Sequence, residues 1–79
     1  MSTVTLYTRP GCHLCDDARA AIERVCERTP FRLVEIDIES DDALHRAYLE
    51  RIPVVELDGE ELFEYFVDEA TLAARVRRD

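Results

Sequence analysis

Between its first extended segment and its first helical one, the chain reads Arg9-Pro10-Gly11-Cys12-His13-Leu14-Cys15-Asp16-Asp17. Residues 4–8, before this stretch, are rich in β-branched and aromatic types, which predicts a strand. After it, apolar residues recur at helical spacing to about residue 28. Cys12 and Cys15 therefore lie three residues apart at the start of a helix, where unpaired N–H groups and the helix dipole stabilise a thiolate. The stretch is a candidate thiol redox site.

Composition narrows the class of protein. A chain of 79 residues predicts one small domain, residues 1–79. The net charge of −8 makes the protein acidic and argues against nucleic acid and anionic membrane surfaces as partners. No apolar run is long enough to span a bilayer, and the first strand begins too early to leave room for a targeting segment. We expect a cytoplasmic monomer, and the odd number of cysteines, 3, excludes a closed disulfide framework.

The middle of the chain predicts a second strand and a short helix. Thr29-Pro30 ends the first helix, and residues 31–38 alternate between apolar and acidic side chains, which suits a strand near a sheet edge. Ser40 is a suitable N-cap for a short helix that carries Leu44 and Tyr48 on one face.

The last third predicts a hairpin followed by a helix. Residues 54–57 form an apolar strand, and Asp58-Gly59 is typical of a two-residue type I′ turn into a fourth strand at about residues 61–66. Asp68 caps the last helix, whose end carries basic residues that suit the helix dipole: Arg75, Arg77 and Arg78.

The predicted element order is β-α-β-α-β-β-α. A helical crossover makes the first two strands parallel, whereas the hairpin makes the last two antiparallel. The sequence therefore predicts an α/β fold, a four-stranded mixed sheet with helices on both faces.

The cysteine pair meets the two requirements of thiol–disulfide exchange, an attacking thiolate and a second thiol nearby. We predict Cys12, at the helix start, as the exposed nucleophile and Cys15, one turn further in, as the covered resolving thiol. Arg9 and His13 are neighbouring cationic or titratable groups that would favour the thiolate. A purely solvent-facing position for His13 stays open.

Other uses of the pair fit less well. A structural zinc ion needs four ligands, and the remaining candidates, Cys26, His13 and His45, lie too far along the helix, inside the motif or on another element. We therefore predict no metal site, and we interpret Cys26 as a small core or boundary residue. Haem attachment requires His directly after the second cysteine, but Asp16 stands there.

Two segments carry a resemblance to a known family. Residues 6–15 resemble the active-site segment of glutaredoxins, and Arg51-Ile52-Pro53-Val54-Val55, followed by Asp58-Gly59, resembles the cis-proline strand and hairpin of the thioredoxin fold. From the residues alone the isomer of the Ile52–Pro53 bond stays open. The resemblance covers essentially the full length and implies a minimal thioredoxin-like fold of the glutaredoxin type.

The resemblance also implies roles for individual residues. Pro53 would be cis and lie beside the two cysteines, and the backbone of Ile52 would pair with an extended substrate segment. Arg9 would lie near a substrate carboxylate, and Asp68, with Glu69, matches an acidic pair that holds an amino group.

Three positions depart from the family pattern. Glutaredoxins carry Gly-Gly before the last helix, where this chain has Tyr65 and Phe66. Thioredoxins carry a buried acid on the first strand, where this chain has Leu6. The dipeptide between the cysteines is His13-Leu14, and not the usual Pro-aromatic or Gly-Pro.

Together these features predict a thiol–disulfide oxidoreductase that reduces disulfides in the cytoplasm. Its substrate would be a disulfide-containing protein or a low-molecular-weight thiol compound, and it would need no bound cofactor. Glutathione or a thioredoxin-reductase-type system would supply the electrons. Two alternatives stay open: a glutathione-dependent glutaredoxin acting on mixed disulfides through Cys12, and a carrier of an iron–sulfur cluster or metal that uses Cys12.

Overall fold

The computed structural model describes residues 2–77, and their secondary structure follows the predicted order. A short 3₁₀ turn, Ile38–Ser40, is the one addition among the described residues. The strands and helices are β1 (Thr3–Thr8), α1 (His13–Arg28), β2 (Arg32–Asp37), α2 (Asp42–Tyr48), β3 (Val54–Leu57), β4 (Glu60–Glu64) and α3 (Glu69–Arg77).

The four strands form one mixed sheet in the order β2-β1-β3-β4. β1 runs parallel to β2 and antiparallel to β3, and β3 and β4 form the antiparallel hairpin. The predicted topology is therefore confirmed, including the edge position of β2. Because β1 is central, the turn that follows it carries the cysteine pair to the middle of one end of the sheet.

The alternation of β1 explains why helices cover both faces of the sheet. Val4 and Leu6 are fully buried in the larger core, together with side chains from α1, α3 and β3. On the opposite face, Tyr7 stacks on Tyr48 of α2 with ring centroids 4.6 Å apart. Arg24 of α1 also donates to Glu69 of α3 at 2.9 Å.

The start of α2 differs from the prediction. Its N-cap is Asp41, whose Oδ1 accepts hydrogen bonds from two first-turn N–H groups at 2.8 and 3.2 Å. Ser40 instead belongs to the turn Ile38–Ser40, and its hydroxyl donates to the carbonyl of Asp37 at 2.6 Å. β2 thus ends at Asp37, whose side chain caps this turn, so the predicted strand at 31–38 was too long and the Ser40 cap was wrong.

The hairpin has the predicted turn. Asp58 and Gly59 have φ values of 50° and 89°, the pair of positive angles that a type I′ turn needs. Oδ1 of Asp58 accepts from the N–H of Thr3 at 2.9 Å, so the turn is tied to the start of β1. β4 ends at Glu64, two residues before the predicted end, because Tyr65 leaves the extended conformation with φ 67°.

The last helix begins as predicted. Oδ1 of Asp68 accepts from the N–H groups of Ala70 and Thr71 at 3.0 and 3.2 Å, which is N-cap geometry. Arg75 and Arg77 lie in its last turn, whereas Arg78 lies outside the described residues. Within residues 2–77, none of the helices combines the length and the apolar character that crossing a membrane requires.

Candidate functional site

Cys12 is the N-cap of α1, and the conformation of the preceding Gly11 places it there. Gly11 has φ 78° and turns the chain, and Cys12 is extended with φ −93° and ψ 111°. Its Sγ accepts a hydrogen bond from the backbone N–H of Cys15 at 3.2 Å. A thiol in this position satisfies a helix N–H that has no partner within the helix.

Cys15 lies behind Cys12, fully buried, whereas Cys12 is half-buried. Both are free thiols. Burial raises the pKa of the Cys15 thiol, and a hydrogen bond with the sulfur of Cys12 raises it further, whereas the hydroxyl of Thr8 and the backbone of Arg9 lower it. Cys12 is therefore the more accessible of the two cysteines, as the sequence predicts.

The segment before β3 contributes the third part of the site. The Ile52–Pro53 peptide bond is cis, the isomer that the family resemblance implies, and Pro53 is fully buried. Ile52 packs in a small apolar cluster with Cys15 and Ile38, against which Cys12 also packs. Two segments 37 positions apart in the chain, at Cys15 and Ile52, thus meet at one place.

The backbone of Ile52 is only partly available for pairing. Its N–H donates to the carbonyl of Tyr48 at 3.1 Å and so helps to end α2. No residue within 2–77 donates a hydrogen bond to its carbonyl oxygen. In this state the predicted pairing with a substrate strand can use the carbonyl alone.

Tyr65 and Phe66 form a strained turn beside the cis-proline. Tyr65 has φ 67°, and the N–H of Phe66 donates to the carbonyl of Glu64 at 2.7 Å, which is a γ-turn with a positive central φ. Two bonds hold Tyr65 in place: its N–H to the carbonyl of Pro53 at 2.8 Å and its hydroxyl to the carbonyl of Glu50 at 2.6 Å. Phe66 is left 73% exposed. The sequence pattern predicts both residues in the fourth strand and does not reveal this turn, because the anchoring bonds join distant segments.

Neither residue predicted to tune the thiolate donates a hydrogen bond to the Cys12 sulfur within residues 2–77. The guanidinium of Arg9 lies 3.7 Å from the carboxylate of Glu39. His13 is exposed in the first turn of α1, and its side chain has no hydrogen bond or ion pair with any residue in the described part of the chain. A role of either residue in favouring the Cys12 thiolate stays a prediction.

The acidic pair before α3 is already engaged within the fold. Asp68 caps the helix with Oδ1, and Glu69 accepts from Arg24 at 2.9 Å and lies 3.6 Å from Arg28. Arg24, and then Arg28, lower the pKa of Glu69. A role of Asp68 in substrate binding stays a prediction. Among residues 2–77, no group of three or more His, Cys, Asp and Glu side chains is arranged to hold a metal ion.

Thr8 is the residue at this site that sequence reasoning missed. It is 7% exposed and lies on the same face of β1 as Val4 and Leu6. The two-residue repeat of a strand could have identified Thr8, because residues 4, 6 and 8 of β1 share one face.

A mixed four-stranded sheet with three helices and a cysteine pair at the start of the first helix is the architecture of the thioredoxin fold. A mutant thioredoxin of Halobacterium salinarum shares it with a TM-score of 0.71 at 24% identity, covering 98% of this chain and 73% of that one. More specifically, residues 3–77 match the model of the glutaredoxin-like domain (DUF836). The chain belongs to this family of small glutaredoxin-like proteins, and its membership indicates a thiol redox function.

Two solved structures are similar over nearly the whole chain. A protein of Nitrosomonas europaea, determined by NMR, has a TM-score of 0.80 and 32% identity over 94% of this chain and 89% of that one. A protein of X. campestris, determined by X-ray crystallography, has a TM-score of 0.77 and 35% identity over 96% and 97%. The sheet and its three helices are therefore shared with relatives of similar size.

Proposed function

We propose that this protein is a dithiol–disulfide oxidoreductase in which Cys12 is the nucleophile and Cys15 the resolving thiol. The observation that carries the proposal is the bond from the Cys15 N–H to the Cys12 Sγ at 3.2 Å, which places an accessible sulfur at a helix N-terminus. The second thiol lies one turn behind it and is shielded from solvent.

The reaction consists of two exchange steps. The Cys12 thiolate attacks a substrate disulfide R–S–S–R′, forms a mixed disulfide with R–S and releases R′–S⁻, which takes up a proton. The Cys15 thiol then loses its proton, and its thiolate attacks the Cys12 sulfur and releases R–S⁻. Two electrons pass to the substrate, and Cys12 and Cys15 end as a disulfide. Glutathione or a thioredoxin-reductase-type system then reduces that disulfide.

We propose a protein disulfide as the substrate, and the surface around the cysteines supports this choice. Leu14 and Phe66 are exposed at 38% and 73%, so apolar side chains of a substrate can be covered there. The carbonyl of Ile52, beside the buried Pro53, can accept one bond from an extended substrate segment. Asp68, two residues after Phe66, is exposed and would offer its carboxylate to a substrate amino group.

Serine substitutions of the three cysteines test the mechanism. Cys12→Ser should abolish reduction of a disulfide-bonded fluorogenic peptide, because serine cannot form the mixed disulfide. Cys15→Ser should instead accumulate a mixed disulfide at Cys12 that mass spectrometry detects. Cys26→Ser is the matched control, since Cys26 lies near the C-terminal end of α1, where its Sγ donates to the carbonyl of Phe31 at 3.3 Å. Its turnover should equal that of the unmodified protein.

Other outcomes would contradict the proposal. Unchanged turnover in Cys12→Ser would exclude Cys12 as the nucleophile. Full activity of Cys15→Ser towards a glutathione mixed disulfide would favour the single-cysteine glutaredoxin route. Visible absorbance of anaerobically purified protein, lost in Cys12→Ser, would favour a cluster or metal carrier.

A further inference from the structure

We propose that the hydroxyl of Thr8 donates a hydrogen bond to the Cys15 sulfur when Cys15 attacks the mixed disulfide. Thr8 would thereby stabilise the thiolate that the resolving step requires. This inference rests on the proposed function, and it assigns the step to a residue outside the cysteine motif.

The first observation is an unpartnered polar group. Thr8 is 7% exposed, and among the described residues its Oγ1 is the one buried side-chain oxygen or nitrogen without a hydrogen-bond partner. Such groups are rare in folded proteins because burying a hydroxyl without a partner is unfavourable. A hydroxyl left without a partner in the dithiol state is available to donate in another state.

The second observation is where this hydroxyl lies. It is beside the Cys15 sulfur, where it lowers the pKa of that thiol, as does the backbone of Arg9. In the dithiol state the pair lacks the geometry of a hydrogen bond, so the interaction is incomplete. A thiolate is a far better acceptor than a thiol, and ionisation of Cys15 would draw the donor in.

The resolving step explains why such a donor is needed. Burial disfavours a charge on Cys15, and in the dithiol state a hydrogen bond with the sulfur of Cys12 also raises the pKa of the Cys15 thiol. In the mixed disulfide the Cys12 sulfur is covalently bound to substrate and carries no charge. Within residues 2–77, the groups that favour a Cys15 thiolate are the Thr8 hydroxyl and the Arg9 backbone.

The resolving step balances in protons and electrons. Cys15 releases its proton to water, its thiolate forms the bond to Cys12, and the substrate sulfur leaves with the electron pair of the broken bond. Thr8 keeps its own proton throughout.

The test measures the resolving step alone. In a Cys26→Ser background, Cys12 reacts at low pH with 2-hydroxyethyl disulfide, which forms its mixed disulfide with 2-mercaptoethanol and releases a second molecule of 2-mercaptoethanol. After a jump to pH values between 5 and 10, acid quenching and mass spectrometry follow loss of the mercaptoethanol adduct. Thr8→Val should resolve about tenfold more slowly at neutral pH, the effect of losing one hydrogen bond to a charged group. As the pH rises towards 10, a growing fraction of Cys15 is ionised, so the deficit of Thr8→Val against the unsubstituted background should shrink.

Matched variants separate this role from a structural one. Thr8→Ser keeps the hydroxyl and should keep the pH profile, whereas Thr5→Val, on the other face of β1, should leave it unchanged. Thr8→Ala replaces Thr8→Val if the latter does not fold by circular dichroism. An unchanged profile in Thr8→Val, or one slowed equally at every pH, would overturn the inference and leave the proposed function intact. Failure of the unsubstituted background to resolve the adduct would overturn both.

Discussion

At the scale of single residues, Tyr7 shows how the fold changes the chemistry of one group. Its hydroxyl donates to Oε1 of Glu56 at 3.1 Å, and its ring stacks on Tyr48. Burial, and next the carboxylate of Glu56, raise the pKa of Tyr7 from 10.0 to about 12. The neutral hydroxyl is favoured because a phenolate would face a negative charge across a strand pair.

This shift predicts a dependence of stability on high pH. Because the folded state holds the Tyr7 proton more tightly than the unfolded state, the stabilisation is complete below about pH 10 and is lost as pH rises towards 12. Absorbance at 295 nm should therefore show one tyrosine that ionises later than the others. Tyr7→Phe should remove that late phase, and Tyr65→Phe should leave it in place. A late phase that survives Tyr7→Phe would contradict the assignment.

Individual side chains were predictable only where a local pattern determines their role. The positions of Cys12 and Cys15 follow from the strand–turn–helix pattern around them, and the structure places their sulfurs accordingly. Arg9 was adjacent in sequence, but its guanidinium turns to Glu39, which belongs to the turn after β2. A charge near a thiol in the sequence need not face it, because the folded chain offers competing partners.

At the scale of elements, helix α3 depends on its N-cap residue, Asp68. Asp68 satisfies two N–H groups of the first turn, which is a sufficient structural reason for an acid at this position. The family resemblance gives the same residue a substrate-binding role. The two roles make different demands, since capping needs one oxygen atom whereas binding an amino group needs the charge.

Two substitutions distinguish these roles. Asp68→Ala should lower the free energy of unfolding by about 1 kcal/mol, the usual cost of losing a cap, as measured by urea denaturation. Asp68→Asn keeps the capping oxygen and removes the charge, so it should retain most of the stability. A rise in KM for the peptide substrate in Asp68→Asn would support the binding role, and unchanged kinetics would leave Asp68 as a cap only.

Element boundaries were less predictable than element order. Ser40 and Asp41 are both good N-cap residues, and only the bond from Ser40 to Asp37 decides which of them starts α2. β4 ends early because Tyr65 is held by Pro53 and Glu50, which lie more than ten residues earlier. Hydrogen bonds between distant segments cannot be predicted from the local conformational preferences of the residues.

At the scale of the whole molecule, the site lies at one end of the sheet, where the ends of three strands meet. Cys12 follows β1, Ile52 precedes β3, and Phe66 follows β4. The anchored turn at Tyr65 occupies the place where glutaredoxins have two glycines. We propose that the side chains of Tyr65 and Phe66 keep the backbone from approaching a small thiol compound closely, in line with the protein substrate proposed above.

The double substitution Tyr65→Gly and Phe66→Gly should open this surface to glutathione. Glycine accepts the positive φ at position 65 and removes both side chains. We expect kcat/KM for a glutathione mixed disulfide to rise about tenfold, the value of one good interaction at the transition state. Leu49→Ala, which removes another exposed apolar side chain, should not change it. High activity of the unsubstituted protein with glutathione would show that these side chains do not block the site.

The sequence by itself determined the element order, the mixed sheet, the type I′ turn and the cysteine pair at a helix start. These features depend on periodicity and turn chemistry within a few residues of each other. Only the tertiary structure decided that the Ile52 N–H is engaged, that Arg9 faces Glu39 and that Thr8 holds a free hydroxyl beside Cys15. Each of these depends on which distant segments meet, because a donor's partner is chosen by packing in three dimensions and not by its neighbours along the chain.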